Sequence, residues 1–251
     1  MHIDLSTLHI KVFADGADAD DIERMAGNPL IEGFTTNPTL MRKAGVADYK
    51  SFAKRALAAV SGKPISFEVL ADDFESMRCQ AETISGWGDN VFVKIPVTNT
   101  AGESSVGLVR KLSAAGVQVN VTAVFTLAQV RAVSEALAPE TAAVVSVFAG
   151  RIADTGRDPM PLMRACKEIL RMRPKAELLW ASPREVLNLF QAEECRSDII
   201  TMTRDQIAKL SAAGKDLEEF SRETVEMFYR DAAAAGYAIE IETAAMTDAA
   251  E

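Results

Sequence analysis

The feature that most constrains this chain is a strict alternation of short apolar runs with longer amphipathic ones. Runs over 10–14, 31–36, 64–70, 90–96, 117–123, 142–148, 176–181 and 198–202 have the length and β-branched content of buried strands. Between and after them lie helical patterns over 18–26, 48–61, 73–87, 104–115, 127–138, 161–173, 183–193 and 205–212. Asn37-Pro38 opens a further helical stretch, since proline suits the first helical position. Alternation of this kind implies a parallel sheet, because each helix carries the chain back to the edge from which the last strand started. Eight such units in 251 residues predict an α/β fold, a closed (β/α)8 TIM barrel, with an open doubly wound sheet as the alternative. No Pro/Gly/Ser-rich linker or low-complexity stretch interrupts the series, so 1–251 reads as one domain. The stretch 215–236 stands outside the count. It is an amphipathic helix with Leu217, Phe220, Val225 and Phe228 near one face, which either closes the barrel or packs on a neighbouring subunit. The final residues, 246–251, are expected to fray.

Composition narrows the function classes. A formal charge of -9 and a pI near 4.9 argue against nucleic acid or an anionic membrane surface as the main partner, while leaving room for a local basic pocket. The three cysteines, Cys79, Cys166 and Cys195, are odd in number and far apart, the usage of reduced thiols in a cytoplasmic protein. The opening MHIDLSTLHIKVF lacks a basic n-region followed by a long apolar one, and no apolar run approaches the roughly 20 residues of a membrane span. Both histidines, His2 and His9, precede the first strand, which disfavours a histidine zinc site or a Ser-His-Asp triad. No GxGxxG follows a strand and no P-loop is present, so neither metal nor cofactor is expected.

Within this frame the fourth strand, FVKIPVT at 92–98, carries an anomaly: Lys94 interrupts an apolar run. Burial disfavours an ammonium, and a desolvated amine can attack a carbonyl. The alternative is an edge-strand lysine that stays in water and blocks aggregation. The other strands bear on that choice. Side chains alternate along a strand, so polar residues of one parity at the carboxyl ends face the mouth of a barrel. The strands in turn offer Asp15, Asn37, Glu68, Lys94, Asn120 with Thr122, Ser146 and Ser182. Asp15 and Ser182 could instead cap helices and Asn37 could serve a turn, but seven strands agreeing favour a shared site. A lysine imine acts as an electron sink for breaking the adjacent carbon–carbon bond. Asp15 and Glu68 are the carboxylates available for proton transfer, and Thr122 can orient a water. Arg151, Ser182 and Arg184 suit a phosphate, the latter two at the start of a helix whose N–H groups favour anions; the arginines could otherwise be surface ion-pair residues.

The motifs GFTTNPTL at 33–40, FVKIPVT at 92–98, VNVTAVFT at 119–126, SVFAGRIADTG at 146–156 and WASPREVLN at 180–188 resemble the transaldolase family, including its small fructose-6-phosphate aldolase branch. The resemblance runs from about residue 12 to 239 and implies Lys94 as the Schiff-base lysine, Asp15 as acid/base, and Glu68 with Thr122 handling water. It further implies that Thr35, Asn37 and Asn120 bind donor hydroxyls, that Ser146 holds the dihydroxyacetone end, and that Arg151, Ser182 and Arg184 take the phosphate of a sugar-phosphate substrate. Glu68 and Phe148 stand where the aldolase branch typically has Gln and Tyr, so the resemblance favours transfer over release of free dihydroxyacetone. A transaldolase using a sulfonated or deoxy ketose, and an idle sugar-phosphate binder, are further readings. Gly16, Val147, Trp180 and Pro183 depart from the family pattern, at positions expected beside the substrate path. The C-terminal helix resembles one that packs over a neighbour in homo-oligomeric pentamers and decamers.

Overall fold

A computed structural model describes residues 4–240; His2 and the frayed end expected at 246–251 lie outside the described residues. Eight strands form the sheet: β1 Lys11–Asp15, β2 Ile31–Thr35, β3 Ile65–Glu68, β4 Val91–Pro96, β5 Val119–Val124, β6 Ala143–Val147, β7 Ala176–Trp180 and β8 Ile199–Thr203. Each pairs in parallel with the next, and β8 pairs with β1, so the sheet closes into a barrel and the open-sheet alternative falls. The helices of the barrel are α1 Ala19–Ala26, α2 Pro38–Lys43, α3 Tyr49–Ala59, α4 Phe74–Ser85, α5 Val106–Ala114, α6 Leu127–Ala136, α7 Ala149–Ala153, α8 Met160–Leu170, α9 Leu187–Glu194 and α10 Arg204–Lys209. Several begin where the sequence supplies an acceptor for the orphan N–H groups of a first turn. Asp18, Asp48, Asp73 and Thr126 cap α1, α3, α4 and α6 in this way.

Strand parity divides the core into two layers. Val12, Phe34, Phe67, Val93, Ile95, Val121, Val145 and Trp180 face the helices and pack with Met77, Leu112, Val130 and Met163 in one large cluster. The opposite parity faces the barrel axis, where Phe13, Val144, Leu179, Ala181 and Ile199 form a second cluster, flanked by Phe92 and Phe148. The Phe13 ring occupies space that a side chain on Gly33 would need, since a Cβ there would lie 2.4 Å from the ring. The axis is therefore filled by apolar side chains, and the polar residues of the same parity sit toward the carboxyl ends.

Two local features differ from the sequence reading. The five-residue α7 follows β6 directly, too short for apolar periodicity to announce it. Its Gly150 is forced by close approach: a Cβ would lie 1.6 Å from the Ser182 carbonyl oxygen, and its N–H donates to Ala181 O at 3.2 Å. The helix expected from 183 begins only at Leu187, because Asn188 Oδ1 accepts the N–H groups of Arg184 (2.6 Å) and Glu185 (3.2 Å) and closes the preceding turn.

Residues 4–211 form one compact unit and 212–240 belong to a second. The second unit holds α11 Leu217–Ala234, capped by Asp216, with Arg222 paired to Glu219 and Glu226 along its surface. Leu217, Phe220, Val225 and Phe228 are exposed on it. Among the described residues, no helix is long and apolar enough to cross a membrane.

Candidate active site

The carboxyl ends of the strands open onto a cavity of about 460 Å³. Eleven of the twelve residues expected at the site line it: Asp15, Thr35, Asn37, Glu68, Lys94, Thr122, Ser146, Phe148, Arg151, Ser182 and Arg184. Asn120 does not. It is fully buried, donates from Nδ2 to Ser66 Oγ (3.0 Å), and accepts the Ser146 hydroxyl at Oδ1 (2.7 Å), so it orients Ser146 from within the barrel.

Lys94 is 7% exposed and lies opposite Glu68 in the β3–β4 register. Its Nζ is 3.2 Å from Glu68 Oε2 and donates to the Thr36 carbonyl at 2.9 Å. A closed barrel has no edge, so the edge-lysine alternative is eliminated. A cation held this deep is tolerated because a carboxylate and a carbonyl replace its water.

Asp15 ends β1. Asp18 caps α1, which removes the capping alternative for Asp15. The Thr35 hydroxyl donates to Asp15 Oδ1 at 2.8 Å and also meets the Thr201 hydroxyl. Burial pushes the Asp15 carboxyl above the usual carboxylate range; the Lys94 charge and hydrogen bonds from Thr35 and Asn37 pull against that shift without cancelling it. Asn37 does two jobs. Its Oδ1 accepts the Leu40 N–H at 2.9 Å as the cap of α2, which turns its amide group to the Asp15 side.

The outer wall is built differently. The Arg151 guanidinium stands 5.8 Å from the centre of the Phe148 ring. Arg184 grips Asp154 with two bonds, Nε to Oδ1 at 2.9 Å and Nη2 to Oδ2 at 2.5 Å, and holds that carboxyl below its usual range. Arg184 thus makes the surface ion pair of the alternative reading while also lining the cavity. The anion-favouring helix start expected at Ser182 and Arg184 is absent, because Asn188 occupies the N–H groups of Arg184 and Glu185. Ser182 and Ala123, both lining residues, have φ of 57° and 56°, a left-handed conformation that costs about 1–3 kcal/mol in a residue with a side chain.

Sequence reasoning missed Thr201 and Lys43 among the lining residues. The parity rule applied to strand eight would have found Thr201. Lys43, in the last turn of α2, looks like an ordinary helix-end cation and carries no such signal. Of the departures from the family pattern, Val147 and Trp180 point into the strand–helix layer, and Gly16 and Pro183 adjoin the lining residues Asp15 and Ser182 without lining the cavity themselves.

The arrangement offers an amine beside one carboxylate, a second carboxylate with a raised proton affinity, and three cations toward the rim. It suits covalent carbonyl chemistry on an anionic substrate.

The family model for Transaldolase/Fructose-6-phosphate aldolase matches residues 12–250. A probable transaldolase 2 from Listeria monocytogenes is 34% identical over 202 residues, covering 80% of this chain and 88% of that one. A probable transaldolase from Dehalococcoides mccartyi is 36% identical over 194 residues, covering 77% and 86% respectively. A solved native KDPGal structure covers 93% of this chain and 100% of its own, with a TM-score of 0.51 at 14% identity, a likeness of fold alone.

Proposed function

The chain belongs to the transaldolase/fructose-6-phosphate aldolase family, and from that premise we propose that it transfers a dihydroxyacetone unit between sugar phosphates through a Schiff base on Lys94. The donor is a ketose phosphate such as fructose 6-phosphate or sedoheptulose 7-phosphate, and the acceptor an aldose phosphate. The observation that carries this reading is the position of Lys94: an amine nearly sealed from water, facing the cavity, with Glu68 at 3.2 Å.

In the proposed sequence Glu68 accepts a proton from Lys94, and the freed amine attacks the ketose carbonyl. The carbinolamine loses water, with Glu68 supplying the proton and Thr122 holding the departing molecule. The iminium then draws electrons as Asp15 takes the proton of the hydroxyl on the far carbon of the bond that breaks, the carbon that becomes the aldehyde. That bond cleaves, the aldose leaves, and the three-carbon enamine stays on Lys94 until a second aldose arrives. Asp15 returns its proton to the new hydroxyl, and water hydrolyses the imine. A carboxyl with raised proton affinity suits a group that must both take and return a proton near neutral pH. Arg151, Arg184 and Ser182 take the phosphate, Ser146 and Asn37 the donor hydroxyls.

The same reading makes the protein a homo-oligomer in which α11 packs on a neighbouring subunit, supported by the exposed Leu217, Phe220, Val225 and Phe228. A monomer in sedimentation velocity would sink that part.

The deciding experiment is product formation from fructose 6-phosphate with and without erythrose 4-phosphate. Sedoheptulose 7-phosphate formed only with the acceptor, with little free dihydroxyacetone in its absence, is the expected result. Dihydroxyacetone released at full rate without acceptor would make the enzyme a lyase. No turnover in either tube would point to a different ketose.

A further inference from the structure

We infer that Tyr49 is a positioning residue for Glu68, its hydroxyl replacing the strand that is missing where the barrel ladder ends. In a parallel sheet, alternate residues of a strand bond to alternate neighbours. Ile65 on β3 and Val69 just after it use the β4 side, their N–H groups donating to Asn90 O and Lys94 O. Ser66 and Glu68 therefore use the β2 side. The β2–β3 pairing is short, covering Phe34↔Ile65 and Thr35↔Ser66, and its last bond runs from Thr36 N–H to Ser66 O at 3.2 Å. Beyond it no strand among the described residues faces Glu68 on the β2 side.

Tyr49, the first residue of α3, fills this gap with one oxygen. Its hydroxyl accepts the Glu68 N–H at 2.8 Å and donates to the Glu68 carbonyl at 2.9 Å. The two bonds tie down both peptide groups of the residue whose carboxylate stands 3.2 Å from Lys94 Nζ. The ring that carries the hydroxyl is wedged edge-on between Phe67 and Trp87, with centroids 6.3 Å and 5.7 Å away. Burial pushes the phenol pKa upward, so the donor keeps its proton. A cavity of about 300 Å³ lined by Tyr49, Glu68, Leu70 and Trp87 adjoins this contact. On the side that β2 leaves open the hydroxyl is the constraint, and on the other the Val69 N–H bond to Lys94 O holds the strand.

This inference rests on Glu68 managing the proton and water of imine formation, as proposed above, and the test separates the two. Fructose 6-phosphate is mixed with the intact protein and quenched with borohydride over time, which reads the rate at which the adduct forms on Lys94; release of aldose reads cleavage. Tyr49→Phe, Glu68→Gln and the double variant are compared. Tyr49→Phe keeps the ring contacts and is expected to slow trapping about tenfold, the scale of a small misplacement of a reacting group. It should leave cleavage of the formed adduct and KM within about twofold, and add nothing in the Glu68→Gln background. Because both rates are read on the same adduct-forming molecules, their ratio is unaffected if part of a variant fails to fold. Unchanged trapping by Tyr49→Phe, or the same slowing in the Glu68→Gln background, overturns the positioning role. Full-rate trapping by Glu68→Gln alone overturns the assignment of Glu68 and the inference with it.

Discussion

The floor and the rim of the cavity carry similar charged groups in opposite physical settings. On the floor, Lys94, Asp15 and Glu68 sit on strands in fixed register and find partners within the barrel wall: Thr36 O for Lys94, Thr35 for Asp15, Tyr49 for the Glu68 backbone. On the rim, Lys43, Arg151 and Arg184 stand on short helices and a loop, exposed to solvent, and Arg184 shares its guanidinium with Asp154. Coulomb energies scale inversely with effective dielectric, so a charge displaced on the floor counts several times more than one on the rim. The comparison teaches where each task belongs. In the proposed function, bond making draws on the strong, preorganised field of the floor, and recognition of the substrate's phosphate on the screened and adjustable rim.

The largest effect is expected at the centre of the floor. Lys94→Met should lower turnover by about four orders of magnitude or more, since the other amine lining the cavity, Lys43, stands exposed on the rim and not buried beside Glu68. Mass analysis after borohydride with fructose 6-phosphate should find no adduct on the variant. A variant that still turns over would break the comparison outright.

Next comes Asp15→Asn, expected to slow carbon–carbon cleavage by about 10²- to 10⁴-fold while the adduct on Lys94 still forms. The same variant tests the burial of this carboxyl through stability. Its folded-state pKa lies above the unfolded value, so its contribution to stability is fully present below the unfolded pKa and is lost as pH rises through the folded one. Asp15→Asn should therefore raise Tm relative to the parent protein near neutral pH, by about 2–4 °C per kcal/mol recovered, with the gain shrinking toward acid. A gain that grows toward acid would reverse the reading.

The smallest effect belongs to the rim. Arg184→Ala should raise KM for a phosphorylated donor about tenfold with little change in kcat, and added salt should erode the difference between variant and parent. Steady-state kinetics at low and high ionic strength checks both. If Arg184→Ala instead lowers kcat as steeply as Asp15→Asn, the distinction between floor and rim collapses.

Much of the floor was legible beforehand because strand parity is a local rule. The alternation Phe92-Val93-Lys94-Ile95 is enough to turn Lys94 toward the axis once Val93 and Ile95 are committed to the helix layer. Glu68 and Ser146 follow in the same way, and Thr201 would have. The resemblance to a known family added Thr35 and Phe148 and divided the roles of Asp15 and Glu68. The rim was less legible. Arg184 was expected there, with a surface ion pair as the other reading, but the exposed Lys43 looks like any surface cation in sequence, and only the fold reveals that it borders the same cavity as Asp15.

By itself, then, the chain determined its eight strands, the face each presents to the axis, and a lysine that had to find polar company. Tertiary structure decided the rest. Closure of β1 on β8 brought Thr201 to the Thr35–Asp15 pair, the early end of β2 left a gap for Tyr49, and the approach of α7 to Ser182 made Gly150 obligatory. It also sank Asn120 beneath the cavity and gave Arg184 to Asp154. The reason is one of range. Alternation and capping are set by neighbours a few residues away, whereas the contacts that complete the site join residues 19 to 166 positions apart and exist only after the sheet has twisted and closed.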